Sequence, residues 1–93
     1  MENNRYFLFL FEPRYNPLTM AYPYTQNIKN EIGQNIRHTR EKKGLKQTDV
    51  AKEAGISAAH FIRIEEGKAN PTLEKIYKIV KALRIKASQI LPF

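Results

Sequence analysis

The residues of this chain that could do chemistry are its cations. Sixteen lysines and arginines stand against nine aspartates and glutamates in 93 residues, a net charge of +7. Residues 1–25 balance Arg5 and Arg14 against Glu2 and Glu12, so the whole excess lies in residues 26–93. A small basic domain favours an anionic partner, nucleic acid first and a membrane surface second. Lys43, Lys46 and Lys68 are candidates for phosphate contacts, while Arg63 and His60 could also donate to a base edge. Catalysis has no comparable support. His38 and His60 are the two histidines and fall on different predicted helices, cysteine is absent, and no carboxylate constellation stands at ligand spacing. Neither a metal site nor a nucleophile is assembled, and no cofactor is implied. There is no Gly-rich phosphate loop.

The elements that must position these cations read as helices. Asn27 is a candidate N-cap for a first helix running to about Lys43 and stopping at Gly44. Ile28, Ile32 and Ile36 form its apolar stripe, and Arg37, Arg40, Lys42 and Lys43 complement the dipole of its last turns. Leu45 continues the core. A second helix, Gln47 to Ala54, turns Val50, Ala51 and Ala54 inward and must end at Gly55. Ser57 caps a third, about Ala58 to Glu66, whose Phe61 and Ile64 point inward above Ile56. Ala58, Ala59, His60, Ile62 and Arg63 are left facing out. After a loop at Lys68 to Pro71, Thr72 caps a fourth helix carrying Leu73, Ile76, Ile79, Val80 and Leu83 at helical spacing. A last short helix over about Ala87 to Leu91 completes an all-α, five-helix fold.

That fold holds about 65 residues, a size at which one core is only marginally stabilising. Dimerisation through the apolar end, Ile90, Leu91 and Phe93, would help. The pair of short helices over residues 47–66, joined by the tight turn Ala54-Gly55-Ile56-Ser57, has the form of a helix-turn-helix DNA reader.

Residues 1–25 are of another kind, an extended arm or linker preceding the domain of residues 26–93. Tyr6 to Phe11 has the aromatic content of a strand, and Pro13, Pro17 and Pro23 then exclude a helix. The arm could be a strand pairing with its copy in a dimer, an apolar strap on the bundle, or an extension ahead of an internal start at Met20. Tyr6 to Phe11 is also shorter than the roughly 7 to 15 apolar residues of a signal peptide. No run approaches the roughly 20 residues needed to span a bilayer. The expectation is a cytoplasmic, nucleoid-associated protein without a membrane partner.

The stretches IGQNIRHTREKKGLKQTDVAKEAGIS, HFIRIEEGKANPTLEKIYKIVKAL and SQIL, spread over about residues 30–91, closely resemble the phage-repressor and Cro-like (Xre-type) helix-turn-helix family. The resemblance implies a five-helix fold, double-stranded DNA as partner, a homodimer on a palindromic operator, and no catalysis. Ala51, Gly55, Phe61 and Ile64 match the family's small, turn and core positions. Gln47 matches its glutamine at the start of helix two, a phosphate contact. Ser57, at the start of helix three, is a further candidate for a phosphate contact. Arg40 and Glu65 match an ion pair that fixes helix three against helix one. Two departures matter. Ala58 and Ala59 replace frequently polar base-reading positions, so contact there is limited to thymine methyls. Lys46 replaces the usual Ser, Thr or Asn cap, weakening the start of helix two while adding a cation for phosphate.

The function this implies is that of a sequence-specific transcriptional regulator, most simply a repressor. A phage-type repressor, a controller of restriction-modification genes and an antitoxin all fit. An interaction module on the same fold, with the arm at 6–11 holding a partner protein, is the alternative from another class.

Overall fold

The computed structural model describes residues 25–93. Four α-helices follow one another: α1 (Gln26–Lys42), α2 (Gln47–Ala54), α3 (Ala58–Glu65) and α4 (Leu73–Leu83), before a 3-10 turn at Ala87–Gln89. The described residues contain no strand. The fifth helix expected from the sequence is that three-residue turn. Of the arm expected over residues 1–25, residues 1–24 lie outside the described residues, and with them the possible strand at 6–11, the suggested partner-protein contact and the possible start at Met20.

Local chemistry sets the boundaries. Thr25, extended at φ −72° and ψ 166°, caps α1 by accepting a hydrogen bond from the Ile28 backbone N–H at 3.2 Å, so Asn27, the expected cap, already lies in the first turn. Gly55 at φ +74° closes α2 in the left-handed conformation, where a Cβ would be strained. Ser57 and Thr72 cap α3 and α4 by accepting from the backbone N–H groups of His60 and Lys75. Lys46 precedes α2 with no side-chain cap.

One buried core joins Ile32 and Ile36 of α1, Val50, Ala51 and Ala54 of α2, Phe61 and Ile64 of α3, and Ile76, Ile79, Ala82 and Leu83 of α4, with Phe61 its largest fully buried side chain. Burying such side chains at about 25 cal/mol per Å² is the main stabilising contribution in a domain this small. One contact is between backbones. A Cβ placed on Gly33 would stand 2.5 Å from the carbonyl oxygens of both Ile64 and Glu65, so α1 can approach α3 this closely only with glycine there.

Two expectations about apolar residues are corrected. Leu73 is 78% exposed: it is the first residue of α4, and helical side chains lean toward the N-terminus, past the end of the core. Ile90 is 0% exposed and belongs to the core of its own chain, so it is not a surface residue for a dimer contact. The 3-10 turn folds it inward, and the Asn35 side-chain amide donates to its carbonyl at 2.9 Å. Leu91 packs partly against the core. Only Phe93, 80% exposed, stands out from the C-terminal end as a dimer contact would require.

Candidate nucleic-acid interface

Glu65, the last residue of α3, organises the site although its side chain is completely buried. Its Oε2 accepts from Arg40 Nε at 2.7 Å. Its Oε1 accepts from Arg40 Nη2 at 3.2 Å, from Gln47 Nε2 at 2.8 Å, and from Arg37 Nε at 3.4 Å. The two Arg40 bonds make a fork on the carboxylate, the geometry in which a guanidinium both neutralises and orients an anion. Arg40 also donates from Nη1 to the Leu45 carbonyl at 2.9 Å, tying down the α1–α2 connection. One buried carboxylate thereby joins α1, α2 and α3. Such a cluster contributes little net stability over an apolar substitute, but removing one partner strands a buried charge at about 3–5 kcal/mol. Its effect is to fix where α3 points.

The Gln47 side chain is engaged inward, on Glu65. Its nitrogen braces the start of α2 where Lys46 provides no cap, and the residue remains half-buried. The cluster thus holds the first residue of α2 to the end of α3, while the free N–H groups of the α2 start have no side-chain cap.

On α3, the outward positions differ from one another. Ala59 and Arg63 are exposed. Arg63 donates from Nη2 to the Lys68 carbonyl at 2.8 Å, which steadies both the guanidinium and the loop after the helix. Ala58 packs partly against the core, so less of its methyl is available than expected. His60 is half-buried, and its Nε2 is inaccessible with no hydrogen-bond partner among the described residues. It lines a small concavity with Gly55, Ile56, Ser57 and Lys75. His60, expected to face outward and donate to a base edge, is therefore only half-exposed, and its Nε2 is not available for that contact.

The Ser57 hydroxyl accepts from the His60 N–H at 3.1 Å and is occupied as a cap. Lys43, Lys46 and Lys68 are exposed at the two ends of the helix pair, Lys68 within 3.3 Å of Glu66. Arg37, expected only to complement the dipole of its helix, joins the cluster at Glu65; it lies three residues before Arg40, hence on the same helical face, and that spacing was the available signal.

A protein-family description, Helix-turn-helix (HTH_3), matches residues 36–90. The control protein C.BamHI of Bacillus amyloliquefaciens is 34% identical over 70 residues, covering 74% of this chain and 86% of that protein. The HTH-type transcriptional regulator y4dJ of Sinorhizobium fredii is 30% identical over 59 residues, covering 63% of this chain and 77% of the relative. Among solved structures, the restriction-modification controller protein C.AhdI from Aeromonas hydrophila superposes with a TM-score of 0.66 at 30% identity, over 68% of this chain and 96% of that one. The protein described here belongs to the helix-turn-helix family.

No helix among the described residues is long and apolar enough to cross a membrane.

Proposed function

We propose that the protein is a transcriptional regulator that binds double-stranded DNA sequence-specifically, acting as a homodimeric repressor on a palindromic operator. The observation that carries this reading is the rigid α2–α3 pair, locked through Glu65 to Arg40, Arg37 and Gln47 in a chain of the helix-turn-helix family. In this reading α3 enters the major groove. Arg63 pairs with guanine, and Ala59, with the exposed part of Ala58, touches thymine methyls. His60 contributes through whichever ring edge remains accessible.

Lys43, Lys46 and Lys68, with the backbone at Gln47 and Ser57, meet phosphates. With so few hydrogen-bonding side chains on α3, DNA shape and backbone charge carry a large share of binding. Similarity to C.BamHI and C.AhdI, both described as controllers, favours control of restriction-modification genes within this class.

The test is selection of binding sites from a randomised duplex pool, followed by competition binding with Arg63→Ala. The reading predicts an enriched inverted repeat and relaxed preference at one base pair per half-site, a loss of about 1–3 kcal/mol in discrimination. Failure to enrich any sequence would sink it.

A further inference from the structure

We infer that Arg37 is a phosphate-binding residue of this interface, aimed by the buried Glu65 and placed beside the first residue of α2. The inference rests on the DNA-binding reading above and adds to it a contact outside the helix-turn-helix segment.

Two guanidiniums converge on the one buried carboxylate of Glu65, and the exposed Glu41 carboxylate stands 3.8 Å from Arg40 Nη2, so the carboxylates of the cluster gather on Arg40. Arg40 is the committed partner: its side chain is almost fully buried, its Nε lies 2.7 Å from Oε2, its Nη2 makes a second bond to the same carboxylate, and its Nη1 is used on the Leu45 carbonyl. Arg37 is the weaker partner. It reaches Oε1 through Nε alone, at 3.4 Å, a long contact at the edge of hydrogen-bonding range. That oxygen already accepts the shorter bonds from Gln47 and Arg40, and a carboxylate oxygen offers about two lone-pair directions. The Arg37 side chain is 43% exposed, so its charge is neither consumed nor buried.

Position supplies the rest. Arg37 Nε and Gln47 Nε2 approach the same oxygen atom, so the guanidinium lies next to the residue that opens α2. A guanidinium anchored at Nε and partly exposed has the planar fork that fits two oxygens of a phosphodiester. Lysines at this surface could supply charge but not that orientation.

The test uses the full chain and two duplexes, the selected site and a random sequence, titrated from about 50 to 200 mM salt, a range over which phosphate contacts dominate the change in affinity. Arg37→Gln is expected to flatten the log–log salt slope by about 0.9 on both duplexes, with the melting temperature of the free protein lowered far less than by Glu65→Gln, because Arg40 still pairs the buried carboxylate. Arg37→Lys, which keeps the charge, is expected to restore the slope but not the full affinity. A slope equal to wild type in Arg37→Gln, with wild type binding normally, overturns the inference alone and leaves Arg37 a structural member of the cluster. A wild-type chain that binds neither duplex overturns the DNA-binding reading, and this inference with it.

Discussion

Gly33→Ala sets two opposing effects against each other, and the structure decides between them. Gly33 lies inside α1, where alanine is favoured by about 1 kcal/mol on helix propensity. The new methyl, however, would stand 2.5 Å from the carbonyl oxygens of Ile64 and Glu65, where ordinary contact begins at 3.4 Å. The α1 and α3 backbones must therefore separate by about 0.9 Å, the difference between those distances. These carbonyl oxygens are backbone atoms, one of them the Ile64 carbonyl that accepts from the Gly67 N–H at 3.1 Å, and cannot rotate aside as a side chain could, so the cost belongs to the upper part of the overpacking range, about 2–3 kcal/mol. The net destabilisation is about 1–2 kcal/mol, which lowers the melting temperature of a domain this size by about 4–16 °C. Thermal unfolding followed by helical circular dichroism measures it. A melting temperature equal to or above wild type would mean that propensity outweighs the clash and would refute the close approach of α1 to α3. The same separation would stretch the Arg40–Glu65 pair, so duplex affinity of the still-folded variant should fall as well.

Lys46→Ser supplies the side-chain cap that α2 lacks. It should stabilise the domain by about 1 kcal/mol while flattening the salt dependence of duplex binding by about 0.9 in log–log slope, a gain and a loss measured on one preparation. Glu65→Gln leaves Arg40 buried without its counter-ion and should cost about 3–5 kcal/mol in urea unfolding; a cost below about 1 kcal/mol, the scale of a surface pair, would show that the cluster is not buried in solution. Ile90→Ala should destabilise the domain by about 2–5 kcal/mol and Phe93→Ala by less than about 0.5 kcal/mol. Equal effects would contradict the placement of Ile90 in the core.

Much of this molecule follows from spacing. The stripes at Ile32 and Ile36, at Val50, Ala51 and Ala54, at Phe61 and Ile64, and at Ile76, Ile79 and Leu83 are all buried where periodicity puts them. Periodicity fails at element ends. Leu73 fits the α4 repeat yet is exposed, because a repeat gives direction around a helix axis and says nothing of where the neighbouring helix stops. Ile90 reads as part of an apolar terminus, but the turn at Ala87–Gln89 and the Asn35 bond bring it inside, and the second of these joins residues 55 apart in sequence.

The site was legible in its residue types and less so in its connections. Arg40 and Glu65 could be paired only through family resemblance, since nothing local links residues 25 apart. That Gln47 spends its side-chain nitrogen on Glu65, and that Arg37 joins the same oxygen, are consequences of three helices converging, which no single segment encodes.

The central claim is that a rigid α3 reads base sequence in duplex DNA. Competition binding of the full chain, selected site against random duplex at fixed salt, tests it most directly. The account predicts a preference of about 10³-fold or more for the selected site, carried on an inverted repeat with half-sites about 10 base pairs apart. Equal affinity for both duplexes would contradict it.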